Sequence, residues 1–325
     1  MRHFPHFALC ALFALGLCSA APARAADAPA SRVRIQTGKD ALGHPYWLYL
    51  PQDFNPQHTY WLVVGVHGLG GDGKAACGIA DWAAKHDCIV LGPTMDGAYP
   101  FLAGKSLPQF TGLVGDLKKK YKLHERVFVF GFSGGAQFSH RLLLNHPEML
   151  AGCAAHAAGW WDFGPAAPDG QPGPFGLVAN PAKAVEKNAV LRDIPFVVSC
   201  GMKDERLKTC KDFAAEAKKA GLCVETTWVP GLGHGLSRQN LLLAEWCFIV
   251  ATELRPALDA HLQSIEGALV AGRLDEADAL IKKPPVDATK WRGDMAKACL
   301  DHHGAKVKKM AEKLTAAAQK AKAGK

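Results

Sequence analysis

The sequence predicts an α/β fold, a mostly parallel sheet covered by helices on both faces. Three observations carry this. Runs such as "YWLVVGVHG" (60–68) and "VFVFG" (127–131) are apolar without alternation, as strands buried on both faces must be. Segments with helical spacing lie between them. The two kinds alternate along most of the chain, the pattern of a sheet built through helical crossovers.

The elements follow in order. "RVRIQTG" (32–38) and "YWLYLP" (46–51) form a hairpin turning at Gly43-His44-Pro45. "YWLVVGVHG" is a buried strand, residues 73–87 a helix, and "CIVLGP" (88–93) the next strand. A helix over 108–122 ends in a lysine run, which suits the negative end of a helix dipole. "VFVFG" is followed by a helix at 134–146, the segment "MLAGCAAHAAG" (149–159), the strand "PFVVSCG" (195–201) and a helix at 208–220. The strand "CVETTWVPG" (223–231) and a helix at 237–255 complete the body. Residues 162–180, rich in Pro and Gly, break the rhythm. They follow a strand end, where loops of open α/β sheets carry ligand sites, so a pocket-lining loop and a plain connection both stand.

The ends differ from the body. Arg2 and His3, the apolar run 7–17 and Ala23-Arg24-Ala25 have the order of a secretory signal peptide. Residues 1–25 are expected to leave an exported chain, periplasmic or extracellular, with a catalytic domain over 26–255. From 256 the composition shifts to Ala, Lys, Leu and Glu. A helical hairpin around Gly272 stops at Pro284-Pro285, and a last helix starts near 287, so 256–325 is a helical extension. No internal stretch is apolar and long enough to span a membrane. The net charge of +8 falls to +6 without the leader, and +5 of that lies in residues 301–325. The near-neutral body argues against a nucleic-acid-binding surface, and the basic tail reads as a solvated helix.

Outside the leader stand eight cysteines: Cys77, Cys88, Cys153, Cys200, Cys210, Cys223, Cys247 and Cys299. In an exported chain at least one disulfide is expected, with connectivity open. No CxxC pair occurs, so no metal site is expected.

The chemistry concentrates at strand ends. Gly131-Phe132-Ser133-Gly134-Gly135 joins a strand to a helix. Gly-x-Ser-x-Gly in that context is a nucleophile elbow, whose tight turn needs tiny neighbours. A serine hydroxyl needs a base. His234 lies between glycines in "VPGLGHGLS", after the last predicted strand. Asp204 in "CGMKDER" follows the preceding strand and is favoured over Glu205 and Asp193. The chain order Ser133, Asp204, His234 is the one expected of this architecture. His67-Gly68-Leu69-Gly70 follows an early central strand, so the backbone N–H of Leu69 or Gly70 would join that of Gly134 as an oxyanion hole. The phosphate-loop pattern fails, because Ala75 follows Lys74. Trp160, Trp161 and His67 are expected at the substrate, with core packing the alternative for both tryptophans; His156 is assigned to the core.

"HGLGG", "GFSGGAQF" with "HPE", "CGMKD" and "VPGLGHG" together resemble the α/β-hydrolases. The nearest group is the secreted esterases that include poly(3-hydroxybutyrate)-depolymerase-like, feruloyl-esterase-like and dienelactone-hydrolase-like proteins. The resemblance covers residues 31–255. It implies the α/β-hydrolase fold, a Ser–His–Asp carboxylesterase working through an acyl-enzyme, a small-molecule or polymeric ester as substrate, and no cofactor. Residues 160–182 match no single subgroup, and those beyond 256 lie outside the family core. Two alternatives remain. A peptidase of the prolyl-oligopeptidase type shares the elbow, but residues 26–60 are too short for its usual extra domain. A binding protein that kept the fold would be favoured by loss of a triad member, and none is missing.

Overall fold

The computed structural model describes residues 33–161 and 176–323. The expected leader lies outside the described residues, as does most of the Pro/Gly-rich segment.

Among the described residues, eight strands form one sheet in the order β1-β2-β4-β3-β5-β6-β7-β8. β1 (Val33–Lys39) and β2 (Pro45–Pro51) make the expected antiparallel hairpin. β2 pairs antiparallel with β4 (Cys88–Pro93). All later pairings are parallel: β4 with β3 (Trp61–Val66), β3 with β5 (Val127–Phe132), then β6 (Leu150–His156), β7 (Phe196–Gly201) and β8 (Val224–Val229). The crossovers divide the apolar core in two. One part holds Leu62, Val64, Val129, Phe138 and Phe213; the other holds Val63, Phe128, Phe130, Trp82 and Phe248. Alternate residues of each central strand thus serve opposite faces, which explains runs that are apolar throughout.

The helices are α1 (Asp81–Lys85), α2 (Ser106–Lys120), α3 (Gly134–Asn145), α4 (Pro181–Lys187), α5 (Leu207–Lys219), α6 (Arg238–Ile249), α7 (Arg255–Val270), α8 (Leu274–Lys282) and α9 (Asp294–Ala323). The helix expected at 73–87 is instead a 3-10 stretch, Gly73–Ile79, followed by the short α1. Gly73 and Gly78 weaken regular helix there, and the Gly73 amide donates to Thr94 Oγ1 at 3.0 Å, holding the start against the end of β4.

The helix expected to end at 255 does not stop. A π-helical turn, Val250–Leu254, joins α6 to α7, with the Arg255 amide donating to the Val250 carbonyl. Pro256 follows at once. A proline inside an α-helix clashes with the carbonyl four residues back; the widened turn relieves that clash, so the helix continues. The extension also shares the core of the body. Met295, Ala296 and Cys299 of α9 lie in the same apolar cluster as Phe248, Val250 and Leu254. Trp291 packs on Trp246 at 5.7 Å between ring centres. Lys306 pairs with Asp193 at 2.5 Å, and Asp294 with Lys218 at 2.7 Å.

The expected disulfide is not formed among the described side chains: Cys88, Cys153, Cys200, Cys210, Cys223, Cys247 and Cys299 are buried free thiols. No described helix is long and apolar enough to cross a membrane.

Candidate active site

The site forms where β5, β7 and β8 end. Ser133 is the single residue between β5 and α3, with φ +54° and ψ −114°. A side chain at positive φ is strained by about 1–3 kcal/mol, so the surroundings must enforce it. The Ser133 amide donates to the His156 carbonyl at 2.9 Å, and the Gln137 amide donates to the Ser133 carbonyl at 3.1 Å. A Cβ on Gly131 would overlap the Gly135 carbonyl oxygen, and one on Gly135 would overlap that of Val66. Only glycine fits at either position, and that closeness folds the turn tightly enough to lift the Ser133 hydroxyl clear.

His234 Nε2 is 2.9 Å from Ser133 Oγ, and His234 Nδ1 is 2.7 Å from Asp204 Oδ2. The Asp204 side chain is fully buried. Its Oδ1 accepts from the Arg206 amide at 3.0 Å and the Arg206 guanidinium at 3.1 Å. Burial opposes charge on this carboxyl, but the Arg206 amide, His234 and the Arg206 side chain outweigh it and hold Asp204 below the usual carboxylate range. An anion on Nδ1 fixes that nitrogen as the proton carrier, leaving Nε2 to accept the serine proton. The acid and imidazole loops are tied directly, since the Lys203 amide donates to the Leu232 carbonyl at 2.8 Å. Phe132 packs against the His234 ring at 4.9 Å between centres.

The loop after β3 lies over the start of α3. A methyl group added to Gly134 would sit 3.0 Å from the Leu69 amide nitrogen. The loop therefore lies against the first residue of α3, where the positive end of the helix dipole points, with Gly68 close to Ser133. Gly70 has φ +76° and forms the corner of a turn closed by the Gly71 amide donating to the Gly68 carbonyl at 3.0 Å.

No protein-family model matches the chain, and no curated protein matches it in sequence. Solved structures do match in shape. A fluorophosphonate-binding serine hydrolase of Staphylococcus aureus aligns at TM-score 0.53 and 16% identity, over 68% of this chain and 98% of its own. A ferulic acid esterase aligns at TM-score 0.53 and 18% identity, over 67% and 97%. Against a thermostable esterase (23% identity, TM-score 0.49, 67% of this chain) the chain spans 62% of that protein's length. The chain has the α/β-hydrolase fold.

Within that fold, two residues expected at the substrate lie elsewhere. His67 is 4% exposed. Its Nε2 accepts from the Met95 amide at 3.0 Å, which leaves Nδ1 to donate to the Gly68 carbonyl at 2.7 Å. Both ring nitrogens are engaged by backbone, so His67 clasps the Leu69 loop instead of facing a ligand. Trp161 is 4% exposed. It stacks on Phe213 at 4.4 Å and donates from Nε1 to Cys210 Sγ at 3.3 Å, a core position. Trp160 is 50% exposed and stacks on Phe101 at 6.3 Å, on the solvent side. Leu69 is 70% exposed.

Supporting residues escaped the sequence reading. Tyr99 donates to the His67 carbonyl at 2.8 Å. Ser237 and Asn240 cap α6 reciprocally, just past His234. The Asn240 side-chain amide donates to Ser199 Oγ at 2.8 Å, and Ser199 bonds His156 Nδ1. The start of α6 is thereby pinned to β7 and β6. Only the capping pair, three residues apart, has a local signature. Among the described residues no cluster of three metal-ligating side chains occurs.

Proposed function

We propose that this protein is a serine hydrolase acting on carboxylic esters through an acyl-enzyme. The observation that carries the reading is the continuous hydrogen-bonded series from Ser133 through His234 to Asp204, built on a serine held at positive φ. His234 takes the Ser133 proton as Oγ attacks the ester carbonyl. Asp204, kept ionised by its donors, orients the imidazole and stabilises its charged form. The tetrahedral oxyanion develops beside the amides of Leu69 and Gly134, each such donor contributing about 3 kcal/mol. His234 returns the proton to the leaving alcohol, and water repeats the sequence to release the acid.

The fold neighbours named as a serine hydrolase and a ferulic acid esterase support ester chemistry. Exposed Trp160 and Leu69 support a substrate with an apolar or aromatic portion, small or polymeric. The N-terminal sequence supports an exported enzyme. A fluorophosphonate probe tests the reading. We expect stoichiometric labelling of the wild type and none of a folded Ser133→Ala variant. Labelling that survives the substitution, or no turnover across acyl, feruloyl and acetyl-sugar esters, would overturn it.

A further inference from the structure

Arg141 lies about two turns beyond Ser133 in α3 and is fully buried. Taking a guanidinium out of water is costly unless its donors are used. Two of its nitrogens reach two different loops. Nη1 donates to the Pro100 carbonyl, and to Gln137 Oε1 at 3.2 Å. Nη2 donates to the Trp160 carbonyl at 3.2 Å. The guanidinium also lies over the Phe101 ring, 5.1 Å from its centre.

Both loops border the candidate active site. The first carries the 3-10 turn Tyr99–Phe101. The Tyr99 hydroxyl donates to the His67 carbonyl and would lie 2.9 Å from a methyl group on Gly134, the residue after Ser133. The second loop continues β6 beyond His156, whose carbonyl accepts the Ser133 amide. A Cβ on Gly159 would meet Gln137 Nε2 at 2.5 Å and Arg206 Nε at 3.8 Å. This loop therefore runs between the first turn of α3 and the guanidinium that holds Asp204. From the two loops Phe101 and Trp160 stack, with ring centres 6.3 Å and planes 30° apart. Trp160 is half exposed.

We propose that Arg141 is a positioning residue for the substrate: by binding both loops from within the core, it holds Phe101 and Trp160 together as an aromatic wall beside Ser133, and so selects esters that carry a flat ring. The proposal rests on the reading of Ser133 as the nucleophile and adds a substrate class to it. A wall fixed before the ester arrives spares binding the cost of ordering two loops. A ring laid on an aromatic face gains about 0.5–1.5 kcal/mol beyond the area it buries. Arginine suits the task because its planar fork presents separate nitrogens in fixed directions, whereas a lysine ammonium is one point on a flexible stem. Arg141→Lys thus keeps the charge but cannot hold both carbonyls in the same geometry.

The test compares methyl cinnamate (ring in the acid) and benzyl acetate (ring in the alcohol) with ethyl acetate, which has no ring. Acid release is titrated at constant pH, and rates are expressed per fluorophosphonate-labelled site. The ring preference is the ratio of kcat/KM for a ring ester to that for ethyl acetate. The wild type is expected to prefer at least one ring ester. Arg141→Lys and Trp160→Leu should each lower that preference by roughly tenfold, mainly through KM. The double variant should fall no further than Trp160→Leu alone, because Arg141 acts through the wall. An unchanged ring preference in folded Arg141→Lys, with only Tm lowered, would make Arg141 merely structural and overturn the proposal. So would additive losses in the double variant, or a wild type indifferent to rings. If Arg141→Lys does not fold, the surface substitution Trp160→Leu decides, and a ring preference retained there is equally fatal. Calorimetric titration of intact methyl cinnamate and benzyl acetate onto Ser133→Ala protein, with and without Trp160→Leu, reads the wall without chemistry. A failure of the nucleophile assignment is thereby told apart from a failure of the wall.

Discussion

The β5–α3 junction and the seat of α9 solve opposite problems. At the junction the chain is forced into a conformation it disfavours: Ser133 sits at φ +54°, enclosed by backbone so close that Gly131 and Gly135 admit no side chain. At α9 nothing is forced. Met295, Ala296 and Cys299 enter an apolar cluster with ordinary helical geometry. The contrast shows where the fold loses stability and where it gains it. The strained serine is held in place by the rest of the fold, and the extension is part of what holds it.

The comparison breaks most sharply through Ser133→Ala. Ester turnover is expected to fall by about 10⁶, about 8 kcal/mol in activation free energy, with the melting temperature almost unchanged. Kinetics and calorimetry on the same preparation check both halves. Asp204→Asn should cost about 10⁴ in kcat, because the imidazole loses its fixed tautomer. Steady-state rates on a soluble ester measure that drop, and a fall of less than tenfold would remove Asp204 from the series.

Met295→Ala tests the other region. Emptying this buried site should cost about 2–5 kcal/mol of stability while turnover per folded molecule stays at the wild-type level. Urea titration with parallel active-site counting decides it. A chain truncated after Arg255 is expected to fare worse, since the cut falls inside a continuous helix and uncovers Phe248 and Leu254.

His156 gives a pH-dependent contrast. Buried without hydration, it is held down to about 3, whereas an unfolded imidazole takes its proton near 6.5. Between those values the unfolded chain binds a proton that the folded chain refuses. The associated stability is intact above about pH 6.5 and declines by about 1.4 kcal/mol per pH unit towards 3. Urea midpoints from pH 7 to 4.5 should fall less steeply in His156→Gln than in the wild type. The smallest effect sharpens the comparison again: Ser133→Gly, inactive like the alanine variant, should gain about 1 kcal/mol by releasing the positive φ.

What was legible in the sequence follows the same division. Ser133, Asp204 and His234 each stand just past a strand among small residues, a local signature, and the structure brings all three within hydrogen-bond distance. The strands were legible because burial on both faces leaves no polar residue to interrupt them. Trp161 and His67 were misplaced because chain position next to a site does not reveal which way a side chain turns. Tyr99, Ser199 and Asn240 were missed because hydrogen bonds across tens of residues leave no spacing to read. The boundary at 255 was drawn on a composition shift, and the π turn is a backbone adjustment that composition does not announce.

That turn also sets a phase. Each residue of an α-helix advances the side chains by 100°, and a π turn accommodates one residue more than an α turn would. Leu258, Ile265 and Ala268 of α7 face the core only because of that extra step. Drawing that turn into ordinary α-helix with all its residues kept would rotate the apolar stripe that follows by about 100°. α8 and α9 would then meet the polar side of α7. The most irregular turn of the long helix is thus what aligns everything that follows it.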